Sequence, residues 1–174
     1  MIITIGGPPG SGKSTTAVHL SDRLGIRAVC AGRIFRGMAR ERGMSLAEFG
    51  RLAEEQWEID REFDERLLAE AYGDVILEAR LSGPLLALRH VDAFRVYIVA
   101  KPEIRAARIG AREHEDPALA LKEMQERECS EARRYRDIHG VDIWDTSIYD
   151  LTIDSSDMTP EEVVDRIVEG LKQD

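Results

Sequence analysis

The stretch that decides the fold is Ile2-Ile3-Thr4-Ile5-Gly6-Gly7-Pro8-Pro9-Gly10-Ser11-Gly12-Lys13-Ser14. Residues 2–5 are all β-branched and read as a short buried strand. Residues 6–12 form a glycine-rich turn. From Lys13 onward Ala17, Leu20 and Leu24 fall on one helical face, and Gly25 closes that helix. Strand, turn and helix in this order are the context in which GxxxxGK[ST] acts as a phosphate-binding loop. Glycines let the backbone wrap closely, so that successive N–H groups point at phosphate oxygens, and the following helix adds the positive end of its dipole. Gly7, Pro8, Pro9, Gly10, Ser11, Gly12, Lys13, Ser14 and Thr15 are therefore expected to hold ATP. Lys13 would bridge the β- and γ-phosphates, and the Ser14 hydroxyl would ligate Mg²⁺.

Outward from this loop the chain alternates strands and helices. Strands are expected at 27–30, 74–78, 94–100 and 150–154. Helices are expected at 32–42, from the capping box Ser45/Glu48, at 59–72, from Pro102 to about Arg112, at about 118–139, and from Thr159-Pro160 onward. A polar break, Glu115-Asp116-Pro117, separates the two charged helices. The pattern implies an α/β fold, a three-layer α/β/α sandwich around a five-stranded, mostly parallel sheet. The core would be 1–31, 73–107 and 141–174, with a helical acceptor-binding insert at about 32–72 and a short lid at about 108–140. Ligands in such sheets bind at the carboxyl ends of the strands.

Bulk properties narrow the class. The chain has 174 residues, 43% hydrophobic and 33% charged, which suits one globular domain. A formal charge of −9 argues against a general nucleic-acid binder. No apolar run approaches the roughly 20 residues of a membrane span. The start lacks a basic leader, and Cys30 and Cys129 lie far apart without metal spacing. A cytoplasmic monomer with two free thiols is expected. No guanine-reading motif is present, and the length fits a small-molecule kinase.

Phosphoryl transfer is mostly positioning and charge neutralisation, so arginines matter more than a general base. Arg36, Arg61 and Arg80 can each reach the carboxyl edge of the sheet, where a phosphorylated acceptor would lie. Arg108 and Arg112 share one helix face, as do Arg127 and Arg134. They read either as a lid that closes over ATP or as a solvated face with Glu123–Arg127 as an i,i+4 pair. Glu78 ends its strand beside the loop and reads as a Mg²⁺ ligand through water, as a group that orients an acceptor hydroxyl, or as a partner for an arginine. The four histidines show no ligand spacing and read as surface or helix-end residues. Trp57 and Trp144 read as packing residues.

Several blocks are too long to be generic: Gly7-Pro8-Pro9-Gly10-Ser11-Gly12, Ala31-Gly32-Arg33-Ile34-Phe35-Arg36, Glu41-Arg42-Gly43-Met44-Ser45-Leu46-Ala47-Glu48-Phe49, Glu58-Ile59-Asp60-Arg61, Leu77-Glu78-Ala79-Arg80-Leu81-Ser82-Gly83 and Ser147-Ile148-Tyr149-Asp150-Leu151. With them the chain resembles the cytidylate kinases of archaeal type, within the nucleoside-monophosphate kinases. The resemblance implies transfer of the γ-phosphoryl of ATP to CMP and dCMP. It implies that Arg36, Arg61 and Arg80 hold the acceptor monophosphate and that Arg108 and Arg112 meet ATP. Arg127 and Arg134 would come down on the transferring phosphoryl, making Lys13, Arg80, Arg127 and Arg134 the catalytic set. Lys13 stands where many archaeal relatives have Thr. Ala79 stands where Gly is usual, and is expected to narrow the acceptor's approach. Pro84 replaces a common aromatic, and Leu81 replaces the Asp of the bacterial enzymes, so nothing about base recognition carries over. Another acceptor on the same fold (AMP, UMP, shikimate, gluconate) and a non-catalytic ATP-binding module are the alternatives.

Overall fold

A computed structural model describes residues 1–114 and 116–172. Glu115, part of the expected polar break, and residues 173–174 of the expected core lie outside them. Strands β1 (Ile2–Gly6), β2 (Arg27–Cys30), β3 (Val75–Glu78), β4 (Phe94–Val99) and β5 (Leu151–Asp154) form one sheet in the order β2-β3-β1-β4-β5. All four pairings are parallel, so the sheet is more uniform than the mostly parallel one expected. β1 leads to β2 on one side, while β4 and β5 are added on the other. The loop after β1 thus opens where the winding reverses, the crevice in which ligands of such sheets bind.

Period-two alternation in β1 splits the core into two layers. Ile3 and Ile5 face helices α1 (Lys13–Leu24) and α8 (Pro160–Gly170), packing with Ala17, Leu20, Val163 and Ile167. On the other side Val75, Leu77, Leu81, Leu85, Leu86 and Ile143 gather around α5 (Ser82–Leu88). Leu20 and Leu86 are fully buried, and such a side chain contributes about 2 kcal/mol of transfer free energy. Helices α2 (Ala31–Glu41), α3 (Leu46–Glu55) and α4 (Trp57–Ala69) enclose a third cluster of Met38, Ala39, Phe49, Ala53 and Ile59. The Phe35 and Phe49 rings tilt together there at 4.8 Å. Helices α6 (Pro102–Glu113) and α7 (Pro117–His139) pack on each other through Ile109, Ala120 and Met124.

Local chemistry sets the helix starts. Ser45 Oγ accepts from the Glu48 N–H at 3.3 Å while the Ser45 N–H donates to Glu48 Oε2 at 2.9 Å. Thr159 and Glu162 repeat this capping box at α8. Asp116 caps α7 by accepting from the Ala118 and Leu119 N–H groups. Helix α5 was not expected from the sequence: it is seven residues long and opens on Ser82-Gly83-Pro84, and its first five residues are buried, so it has no polar face to set a period. No described helix is long and apolar enough to cross a membrane.

Candidate active site

The turn after β1 is held by close backbone approach. Gly7 has φ 139°, and a Cβ there would stand 2.1 Å from the Ile98 carbonyl oxygen. Gly10, at φ 77°, passes so near α6 that a Cβ would meet the Arg105 carbonyl oxygen at 2.7 Å. Only glycine tolerates both the left-handed backbone and the contact. Lys13 Nζ folds back to donate to the Pro8 carbonyl at 2.8 Å. Burial lowers the Lys13 ammonium to about 8, with Glu78 opposing the shift and Arg80 adding to it. Ser14 and Thr15 are exposed in the first turn of α1.

Glu78, buried at the end of β3, pairs in register with Ile5 on one side and Cys30 on the other. It forms no ion pair with an arginine among the described residues. Its charge is felt at Lys13 and at the Cys30 thiol, which burial and then Glu78 push upward. Two residues on, the Arg80 side chain is 9% exposed; it lies close enough to the Tyr97 hydroxyl for its charge to be felt there, but none of its three nitrogens has a hydrogen-bond partner of good geometry among the described residues. Its nearest carboxylate is Glu131 of α7, with Oε2 3.4 Å from Nε and likewise without a hydrogen bond. The Trp144 ring lies 5.4 Å from the Arg80 guanidinium carbon. A buried guanidinium without hydrogen bonds costs several kcal/mol, roughly, unless a ligand supplies acceptors.

The lid-region arginines divide. Arg127 Nε donates to Glu131 Oε1 at 2.8 Å, which brings Arg127, Glu131 and Arg80 into one group. The expected Glu123–Arg127 pair is therefore replaced by Arg127–Glu131, because Glu131 is the buried carboxylate of the two positions one turn away. Arg108 lies against the loop: it donates to the Ser155 carbonyl at 2.7 Å, and Ser155 Oγ donates to the Ser11 carbonyl at 2.8 Å. Arg134 is tied to Asp60 of α4 at 3.2 Å. Arg112 does not join the group; it is 68% exposed and pairs with its neighbour Glu113.

Of the arginines expected at an acceptor, Arg80 follows β3 directly, and Arg36 lies in α2, which begins where β2 ends. The Arg36 guanidinium lies over Gly32, and its charge reaches the Cys30 thiol. Arg61 stacks toward Trp57 at 5.8 Å and lines a cavity of about 280 Å³ with Asp64, Leu85, Arg89 and His139. In that cavity His139 Nε2 and Asp64 Oδ2 are 2.7 Å apart. Burial pushes Asp64 up to about 7 and His139 down, both toward their neutral forms.

Two other sequence expectations change. Trp57 and Trp144 are 55% and 52% exposed; each presents its ring to an arginine instead of packing in the core. Ala79, expected to narrow an acceptor's approach, is buried and clusters with Leu81 and Leu85. His139 is a helix-end residue but also half of a buried pair. The sequence reading missed Arg105, whose buried guanidinium binds Glu128 Oε1 at 2.6 Å, the Pro9 carbonyl at 3.2 Å and the Ala100 carbonyl at 3.1 Å. It also missed Glu131, Asp60, Asp64 and Ser155. Tyr149 was likewise missed: its ring fills the space beside Gly6 and Gly83 and lies 4.7 Å from Tyr97. Among the described residues no three histidine, cysteine or acidic side chains gather as a metal cage.

The sequence model of the cytidylate kinase-like family matches residues 2–157. A cytidylate kinase from Methanococcus maripaludis is 44% identical over 177 residues, covering 99% of this chain and 99% of its own. One from Methanocaldococcus jannaschii is 44% identical over 178 residues, covering 99% and 100%. A shikimate kinase from Acinetobacter baumannii superposes with a TM-score of 0.65 at 18% identity, over 99% of this chain and 93% of its own, a likeness of fold. With the phosphate loop, the all-parallel sheet and these near full-length relatives together, the chain belongs to the cytidylate kinase-like family.

Proposed function

We propose that this protein transfers the γ-phosphoryl group of ATP to CMP and dCMP, giving the diphosphate. The observation that carries the reading is Arg80, a largely buried guanidinium with no hydrogen-bond partner among the described residues, whose charge is felt at the loop lysine. A module that only binds ATP has no use for such a group. A two-substrate site has one, because charge spreads over the transferring phosphoryl and must be met by fixed donors.

In this reading the loop amides, Lys13, Ser14 and Thr15 hold the ATP phosphates, and Arg108 and Arg112 contribute from α6. Arg36, Arg61 and Arg80 hold the acceptor monophosphate. Arg127 and Arg134, carried by α7, complete the donor shell when the lid region 108–140 closes and the insert 32–72 brings the acceptor in. Closure also excludes water, which would otherwise take the phosphoryl group. Mg²⁺ fits the donors present: Ser14 offers a hydroxyl and Glu78 a carboxylate. A small hard cation of this kind takes its other ligands from phosphate oxygens and water, so no protein cage is needed. When bound it supplies charge neutralisation between the phosphates. We assign the enzyme to the cytoplasm, acting as a monomer on nucleotides and not on nucleic acid or membranes.

A coupled assay across monophosphates tests the reading. CMP and dCMP should be the preferred acceptors; turnover no faster than with AMP or UMP sinks the assignment. Arg80→Ala should lower kcat by about 10²–10³-fold while ATP still binds. Lys13→Ala should be nearly inactive.

A further inference from the structure

Glu131 is the residue that the assigned roles leave unexplained. It sits mid-way along α7, 5% exposed, in the middle of a positively charged site. Its Oε1 takes the Arg127 Nε–H at 2.8 Å, and its Oε2 stands 3.4 Å from Arg80 Nε without forming a hydrogen bond. Its charge also reaches the Lys13 ammonium. Arg80 and Arg127 thus flank one carboxylate, and they are two of the cations that would meet a transferring phosphoryl. A carboxylate has the charge sign and oxygen spacing to take a phosphate's place between guanidinium forks.

We propose that Glu131 is a positioning residue whose carboxylate stands in for the phosphoryl group before nucleotide binds, keeping Arg80 and Arg127 aimed at one point. The inference rests on the kinase reading of this site. Glu131 Oε1 is held by Arg127 at 2.8 Å, while Oε2 stands 3.4 Å from Arg80 with no hydrogen bond among the described residues, the same loose kind of contact that Arg134 Nε makes with Asp60 Oδ2. Arg80 is left able to let go. Glu131 rides on α7 with Arg127 and Arg134, so removing its carboxylate from Arg80 requires α7 or the side chain to shift. Phosphate must therefore displace an anion in order to bind. Its apparent affinity is reduced by the fraction of molecules in which Glu131 holds the place. The same arrangement keeps two like-charged guanidinium groups from driving each other apart in the empty site.

The test is equilibrium binding of ATP and of adenosine to wild type, Glu131→Gln and Glu131→Asp, followed by the fluorescence of Trp144 beside Arg80. Glutamine keeps an oxygen for Arg127 and removes the charge. Aspartate keeps the charge and withdraws it by one methylene. The expected result is ATP bound about tenfold tighter by Glu131→Gln, a smaller gain for Glu131→Asp, and adenosine affinity unchanged in both, since adenosine carries no phosphate to compete. ATP affinity equal to or weaker than wild type in whichever variant is folded overturns the placeholder. Equal gains for ATP and adenosine overturn it too, because they would report general loosening of α7. Wild type that fails to bind ATP at all refutes the kinase reading instead, so the two failures are told apart.

Discussion

Removing Glu128 should unfold the protein at a markedly lower temperature, although the residue touches neither expected substrate. Arg105 and Glu128 are both buried, 6% exposed each, and Glu128 is the only carboxylate within ion-pair distance of that guanidinium among the described residues. Glu128→Ala leaves a buried positive charge that keeps only the Pro9 and Ala100 carbonyls. Stranding one member of a buried pair costs about 3–5 kcal/mol. That is a large share of the roughly 5–15 kcal/mol that holds an ordinary domain together. At about 2–4 °C per kcal/mol for a chain of this length, Tm should fall by about 6–20 °C in calorimetry. The same logic predicts recovery when both charges are removed together. Arg105→Met with Glu128→Leu fills the space with apolar groups and should return to within about 1 kcal/mol of wild type. Urea titration of the two single variants and the double variant supplies the cycle. A loss below about 1 kcal/mol for Glu128→Ala, or a double variant as damaged as the sum of its singles, would refute the argument.

Other outcomes follow from single observations. Gly7→Ala should abolish ATP binding in a fluorescence titration, because its methyl would collide with the Ile98 carbonyl, whereas Gly37→Ala, in open space on α2, should raise stability by about 0.5–1 kcal/mol in urea. Lys13 is charged below its lowered value of about 8, so ATP affinity measured by calorimetry should weaken as pH rises through that value; a flat profile would show that the ammonium does not meet the phosphates. Asp64, raised to about 7, contributes stability that is complete below the unfolded carboxyl value and lost as pH climbs through about 7. His139 is lowered and works in the opposite sense, its contribution present above its unfolded value and lost on acidification, but the Asp64 shift spans the wider range. Asp64→Asn should therefore flatten the decline in unfolding free energy between about pH 5 and about pH 7, and an unchanged slope would assign the decline elsewhere.

What the sequence disclosed follows the range of the interactions involved. The phosphate loop and the two capping boxes are local: every partner lies within a few residues, and the residue types are specified by backbone geometry. The strand, turn and helix of the loop and the caps at Ser45 and Thr159 form as expected, as do the five strands, three of which end at a glycine or an acid (Gly6, Glu78 and Asp154). Helix α5 was lost because seven residues packed almost all round show no polar face. The interior of the site was lost for a different reason. Arg105 meets Glu128 across 23 residues, and Arg80 meets Glu131 from another element. On a helix that mixes charges of both signs along most of its length, nothing in spacing separates Glu128 and Glu131, which are buried, from Glu123 and Glu126, which are not. The tryptophans misled because a large ring is usually read as core, while here each is an open face offered to a guanidinium.

Helix α7 carries acid–base contacts at four successive turns, and they lead to different parts of the molecule. Glu128 holds α6 and, through Arg105, the phosphate loop; Glu131 faces Arg80 after β3; Arg134 and His139 hold Asp60 and Asp64 of α4. The helix is therefore a shared strut that ties the phosphate loop, the residue after β3 and α4 to one element. Thermodynamic reciprocity then fixes an equilibrium consequence: whatever factor ATP imposes on the affinity for the acceptor, the acceptor imposes on ATP. The two dissociation constants form a closed cycle, and if α7 carries the coupling, a change at Asp60, remote from the phosphate loop, should alter the Kd for ATP.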